Sequence, residues 1–168
     1  MNGKVLVAGI GNIFLSDDGF GVEVANRLAL RPVPEGVHVA DFGIRGVHLA
    51  YELLEGYDVL VLIDAMPMGE PPGTLAVLEP DLPATPDPSD DNAPFADAHS
   101  MNPSVVLATL SRLGGSIGRI LVVGCQPAVL DEGLGLSEPV SEAVDRAVDL
   151  CTEMLTELFT TAGKETSG

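Results

Sequence analysis

The chain has 168 residues, 46% of them hydrophobic, which is enough for one folded domain with a core and too little for two, and excludes a disordered polymer. Its 25 acidic residues against 8 basic ones leave a net charge of −17, which argues against nucleic acid or an anionic membrane as partner and suits a basic or cation-carrying one. No apolar run nears the roughly 20 residues that cross a bilayer, and Val5–Ile10 leads into glycines and acids rather than a signal-peptide pattern, so a cytoplasmic protein is expected. A monomer is the expected form, although no residue pattern fixes the oligomeric state.

Lys4–Ala8 is a continuous apolar run, as expected of a strand buried on both faces. It enters Gly9-Ile10-Gly11-Asn12-Ile13-Phe14-Leu15-Ser16-Asp17-Asp18-Gly19-Phe20-Gly21, a glycine turn that opens a helix over Gly19–Leu30 with Phe20, Val24 and Leu28 on one face. A dinucleotide fingerprint would need its third glycine at Phe14, and a pyrophosphate would meet the carboxylates of Asp17 and Asp18. Taken alone, those two acids are simply favourable at the positive end of the helix dipole, with Ser16 as N-cap.

Val37–Phe42, Asp58–Ile63 and Arg119–Gly124 are further buried strands. Thr74–Leu78 begins only ten residues after Asp64, too soon for a helical crossover, so it is expected to be antiparallel and near an edge. Helices are expected over Gly46–Glu55 (stripe Val47, Ala50, Leu54) and from Pro103 through Val106, Leu110 and Leu113. The last runs over about Glu138–Phe159, capped by Ser137. Between Glu79 and Asp97 lie six acids, five prolines and no lysine or arginine, the composition of a solvated loop. Cys125 and Cys151 are far apart without metal spacing and read as buried free thiols. The sum is a single α/β domain over 1–159, with a disordered tail over 160–168. Its architecture is a three-layer α/β/α sandwich, phosphorylase/hydrolase-like, around a five-stranded, mostly parallel sheet with one antiparallel strand.

Parallel strands share a carboxyl edge, and ligands bind outside it where the connections diverge. With strands ordered 2-1-3, Asp18, Asp41 and Asp64 gather there. The antiparallel strand ends at the opposite edge, so the loop after it must climb back, leaving His99 on the acids' edge. Asp18, Asp64 and His99 then form two carboxylates and an imidazole, a set suited to a divalent transition metal with open positions. Each also has a plain structural reading: Asp64 as a turn cap, His99 bonded to a loop carbonyl, Asp41 bonded to backbone donors. His38 and His48 read as a strand-start and a helix-surface residue. G-x-S-x-G and H-E-x-x-H are missing, so any hydrolysis must use water and a metal.

The same residues resemble the maturation endopeptidases of nickel-iron hydrogenases. The similarity runs from about Lys4 to Phe159 and rests on several stretches. These are Gly9-Ile10-Gly11-Asn12 with Leu15, Asp17, Asp18 and Gly21; Asp41-Phe42-Gly43-Ile44-Arg45-Gly46; Asp64-Ala65; His99-Ser100-Met101; and Gly124-Cys125-Gln126-Pro127. The resemblance implies an α/β/α fold with one antiparallel strand, and removal of a C-terminal extension from the hydrogenase large-subunit precursor once nickel is inserted. It implies cation ligands at Asp18, Asp64 and His99, the nickel being carried by the precursor. Asp41 is then the candidate for orienting water or substrate, and Gly43 and Gly46 permit close approach of an extended peptide. A nucleotide-binding module is the alternative, with Asp41 where a ribose-binding acid would lie; a chaperone that grips the precursor without cutting it is a third reading.

Overall fold

A computed structural model describes residues 3–79 and 103–166. Its strands are β1 (Val5–Ile10), β2 (Val37–Gly43), β3 (Val59–Ala65), β4 (Leu75–Leu78) and β5 (Arg119–Cys125); its α-helices are α1 (Phe20–Leu28), α2 (Gly46–Leu53), α3 (Pro103–Arg112) and α4 (Glu138–Thr166). A 3₁₀ turn, Ser16–Gly19, precedes α1. The sheet order is β2-β1-β3-β5-β4, parallel throughout except for β4, which runs antiparallel on the outer side of β5 from Leu75 opposite Cys125 to Leu78 opposite Val122. The short step from β3 to β4 fixes that reversal.

The alternation of the strands divides the core into two layers. Val5, Val7, Val61, Ile63 and Val123 face α1 and α4, packing on Phe20, Val24, Leu28, Val144 and Cys151. Leu6, Ala8, Leu60, Leu62 and Val122 face α2 and α3, packing on Leu49, Leu53, Val106 and Leu110. All six residues of β1 are buried, which is why its sequence is apolar without alternation. Each fully buried aliphatic of this kind contributes about 1.5–3 kcal/mol relative to exposure.

Three expectations need correction. The buried stripe of α2 is Leu49, Ala50 and Leu53, whereas Val47 is 58% and Leu54 39% exposed. Both stripes satisfy helical spacing; the reverse turn at its start, where the Arg45 amide donates to the Phe42 carbonyl, accompanies the rotation that is found. Ser16 does not cap a helix, because Leu15 holds the N-cap position and the Ser16 hydroxyl donates to the Asp131 carbonyl at 2.8 Å. The last helix continues past Phe159 to Thr166. The stripe Val140, Val144, Ala147, Cys151 and Leu155 is buried as expected.

Candidate active site at the carboxyl edge of the sheet

From β1 the chain crosses through α1 on one face to β2, and from β2 through α2 on the other face to β3. The connections therefore part between β1 and β3, and the mouth between those two strands is the ligand position of an open α/β sheet. Glycines bring the helix down onto that mouth. A Cβ on Gly21 would stand 2.0 Å from the Ile63 carbonyl oxygen and 2.5 Å from that of Ile10, and one on Gly9 2.2 Å from the Gly21 oxygen. Gly21, rather than a residue at Phe14, supplies the close helix–strand packing. Gly11, at φ +131°, lets the turn fold back with the Asp18 carbonyl against it.

The fold-back aims Asp18 inward. Its Oδ2 accepts the Asn12 backbone N–H at 2.7 Å. Asp64 belongs to β3 itself, one residue before its end, not beyond the strand. It sits opposite Gly124 of β5, which brings no side chain of its own. Burial, reinforced by the negative charge of Asp18, pushes the Asp64 carboxyl up to about 8, against the opposing hydrogen bond from the Ala65 amide. Asp64 thus holds its proton near neutrality while sensing an acid beside it. Such a pair has the chemistry to exchange the proton for a divalent cation. The Asn12 amide, a donor that a phosphate would need, is taken by Asp18; the same arrangement disfavours a nucleotide.

Asp41 stands at the carboxyl end of β2, opposite Gly9. Successive residues alternate faces, with Val39 in the layer of α1 and α4 and Ala40 and Phe42 in the other. Asp41 therefore belongs to the α1 side, whereas Asp64, following Ile63, belongs to the α2 side. Its carboxylate lies 3.6 Å from the Arg45 guanidinium, which also donates to the Asp41 and Phe42 carbonyls. Gly43, at φ +58°, accepts the Gly11 amide and ends β2 beyond a bulge. Gly46 opens α2. His99 lies outside the described residues. Among those described, no group of three histidine, cysteine or acidic side chains forms a cation site. His38 is paired with Glu52 at 3.6 Å and His48 is exposed.

Two further residues organise the rim through long-range contacts that their sequence motifs do not reveal. Asp17, fully buried, accepts four hydrogen bonds: from Ser137 N–H to Oδ1, and from Ala128 N–H, Val129 N–H and the Ser137 hydroxyl to Oδ2, at 2.7–2.8 Å. Burial by itself would raise its carboxyl; those donors outweigh it and hold the group below the usual carboxylate range. Ser137 is consequently committed to Asp17 rather than to capping α4. Gln126, just after β5, accepts the Met68 and Glu70 amides through Oε1 and fixes the segment following β3. Outside this rim a groove of about 550 Å³ is lined by Asn12, Phe14, Leu15, Glu132, Gly133 and Leu134.

A doubly wound α/β sheet with paired carboxylates at its switch point is the class these features define, and comparison with known proteins narrows it. Residues 22–154 match the family model described as hydrogenase maturation protease, and the chain belongs to that family. The hydrogenase expression/formation protein HupD of Rhodobacter capsulatus is 34% identical over 138 residues, 81% of this chain and 63% of the relative, so the chain spans under two thirds of that protein's length. Among solved structures, the hydrogenase 2 maturation peptidase of a Thaumarchaeota archaeon is 32% identical with a TM-score of 0.69, covering 91% of this chain and 98% of that one. The hydrogenase maturating endopeptidase HybD of E. coli is 27% identical with a TM-score of 0.70, covering 92% and 93%. The expected α/β fold with one antiparallel strand is thereby established.

Proposed function

We propose that this chain is an endopeptidase that removes the C-terminal extension of a nickel-iron hydrogenase large-subunit precursor after nickel insertion. The observation that carries the reading is the meeting of Asp18 and Asp64 at the switch point, with Asp64 raised to about 8 beside its neighbour's charge. In this reading Asp18, Asp64 and His99 grasp the nickel that the precursor brings. Three side chains without a fourth hold a cation loosely, which suits inspection of a substrate's metal better than permanent ownership. Support for His99 comes from chain direction. Strand β5 starts at the amino edge after α3, so α3 begins at the carboxyl edge. The four-residue step from His99 to Pro103 spans at most about 14 Å.

The chemistry follows from the charge balance. Binding of the precursor's cation would displace the Asp64 proton, and the cation would polarise the scissile carbonyl so that water adds to it, the C–N bond breaks and the amine leaves with a proton. Asp41, tied to Arg45 at the rim, is assigned to orienting water or substrate, and Gly43 and Gly46 to admitting the extended peptide backbone. The site of action is cytoplasmic and the working form a monomer. Among the described residues no helix is long and apolar enough to cross a membrane.

Nickel-loaded and nickel-free precursor, each incubated with the protein and followed by intact mass, test the proposal. Loss of the C-terminal peptide from the loaded form alone is expected, and His99→Ala should abolish it. Equal processing of both forms, or undiminished processing by His99→Ala, rejects the nickel checkpoint. Binding without any cleavage rejects the peptidase.

A further inference from the structure

Asp17 is the one fully buried charged side chain among the described residues, and the proposed chemistry does not use it. Burying a carboxylate is costly unless it is multiply hydrogen-bonded, so its surroundings indicate what it is for. All four donors to it belong to one segment, 128–137, more than a hundred residues away in sequence. The same segment grips the residues beside Asp17. The Ser16 amide donates to the Gly133 carbonyl at 2.9 Å, the Asp17 amide to the Val129 carbonyl at 3.0 Å, and the Gly133 amide to the Phe14 carbonyl at 2.9 Å. Leu15 and Gly133 form a parallel bridge. Ser16 itself has φ 53°, a left-handed backbone that a side-chain-bearing residue adopts only when its neighbours hold it there.

The next residue is Asp18. We propose that Asp17 is a positioning residue: its carboxylate staples the Ser16–Gly19 turn to the segment after β5 and thereby holds the Asp18 carboxylate at the mouth between β1 and β3. The adjacent acids divide the work, one facing inward to protein donors and one facing the switch point. The inference rests on the proposed function only in treating Asp18 as a working group; the geometry of the staple is independent of it. Asp17→Asn keeps the shape but turns one acceptor into a donor facing amides that also donate. The turn should then loosen while the sheet beneath it stays intact.

The test reads Asp18's placement without activity. The Asn12 amide, bonded to Asp18 Oδ2, reports it through native-state hydrogen exchange, with Val7 and Val61 amides as sheet references. In Asp17→Asn, protection at Asn12 should fall by about 10-fold or more relative to those references, since local opening precedes global unfolding. On nickel-loaded precursor, kcat/KM per folded molecule should fall by about 10-fold or more, as expected when a group that grips the substrate's metal is displaced. Ser137→Ala, which removes the hydroxyl donor alone, should show the same pattern more weakly, and carries both measurements if Asp17→Asn does not fold. Unchanged Asn12 protection, loss of protection equal to that of Val7 and Val61, or a kcat/KM at the wild-type level overturns the positioning role. A wild-type chain that cleaves no precursor overturns the proposed function instead, while the exchange measurement still decides the staple.

Discussion

Asp17 and Asp64 are both withdrawn from water at the same edge of the sheet, and the protein treats them in opposite ways. Asp17 is surrounded by four donors and stays ionised; Asp64 has a single backbone donor named above and an acid for a neighbour, and keeps its proton up to about 8. The difference separates a carboxylate that finishes the fold from one buried beside a like charge, the group assigned to the cation under the proposed function. Burial alone does not mark a working acid; burial without compensation does.

The largest effect expected from this contrast is on stability. Asp17→Ala strands the amides of residues 128, 129 and 137 together with the Ser137 hydroxyl, at about 1–3 kcal/mol for each group that finds no water. A fall in Tm of about 10 °C in calorimetry is expected, and an unchanged Tm breaks the assignment of Asp17 as structural.

Asp64→Asn should act in the opposite direction. A carboxyl raised on folding binds more protons in the native state than in the unfolded chain between about pH 4 and 8. Stability of the metal-free protein therefore falls as pH rises across that window. At pH 9 the amide variant should exceed wild type in Tm by several degrees, with the gap closing towards pH 4, while under the proposed function precursor cleavage should be lost. A constant gap at both pH values denies the raised carboxyl.

Acid titration sharpens the other half. Asp17, held low, contributes stability that is present above about pH 4 and lost as pH falls further, so the acid limb of Tm should be shallower in Asp17→Asn than in wild type. The smallest effect belongs to the exposed Asp41–Arg45 pair at 3.6 Å: Arg45→Ala should change stability by about 0.5 kcal/mol or less in urea titration. A larger change would promote that pair to a structural element of the rim.

Much of this was legible in the residues. The apolar runs located every strand to within two residues at either end, and the ten-residue gap after Asp64 sufficed to predict the antiparallel edge. Connection length and burial leave few alternatives there. The glycine turn was legible as a turn, but not that Gly21 is the contact point, because that depends on the Ile63 carbonyl from another strand. Asp17 and Asp18 read identically as neighbouring acids at a helix start. What separates them is supplied by residues 128–137, and no periodicity reaches that far. Ser16 and Ser137 illustrate the same limit: both look like caps, and both are claimed by long-range partners.

The two cysteines carry a consequence for how such a protein handles a soft metal. Cys125 of β5 and Cys151 of α4 both face the core between the sheet and α1 and α4, where burial pushes their thiols up to about 11 and 12. Thiolate sulfur is the side-chain donor that would compete most strongly for nickel, and in this chain it is protonated and sealed away. Under the proposed function, the client's nickel would meet only the oxygen and nitrogen donors of Asp18, Asp64 and His99, and could be released again where it was installed.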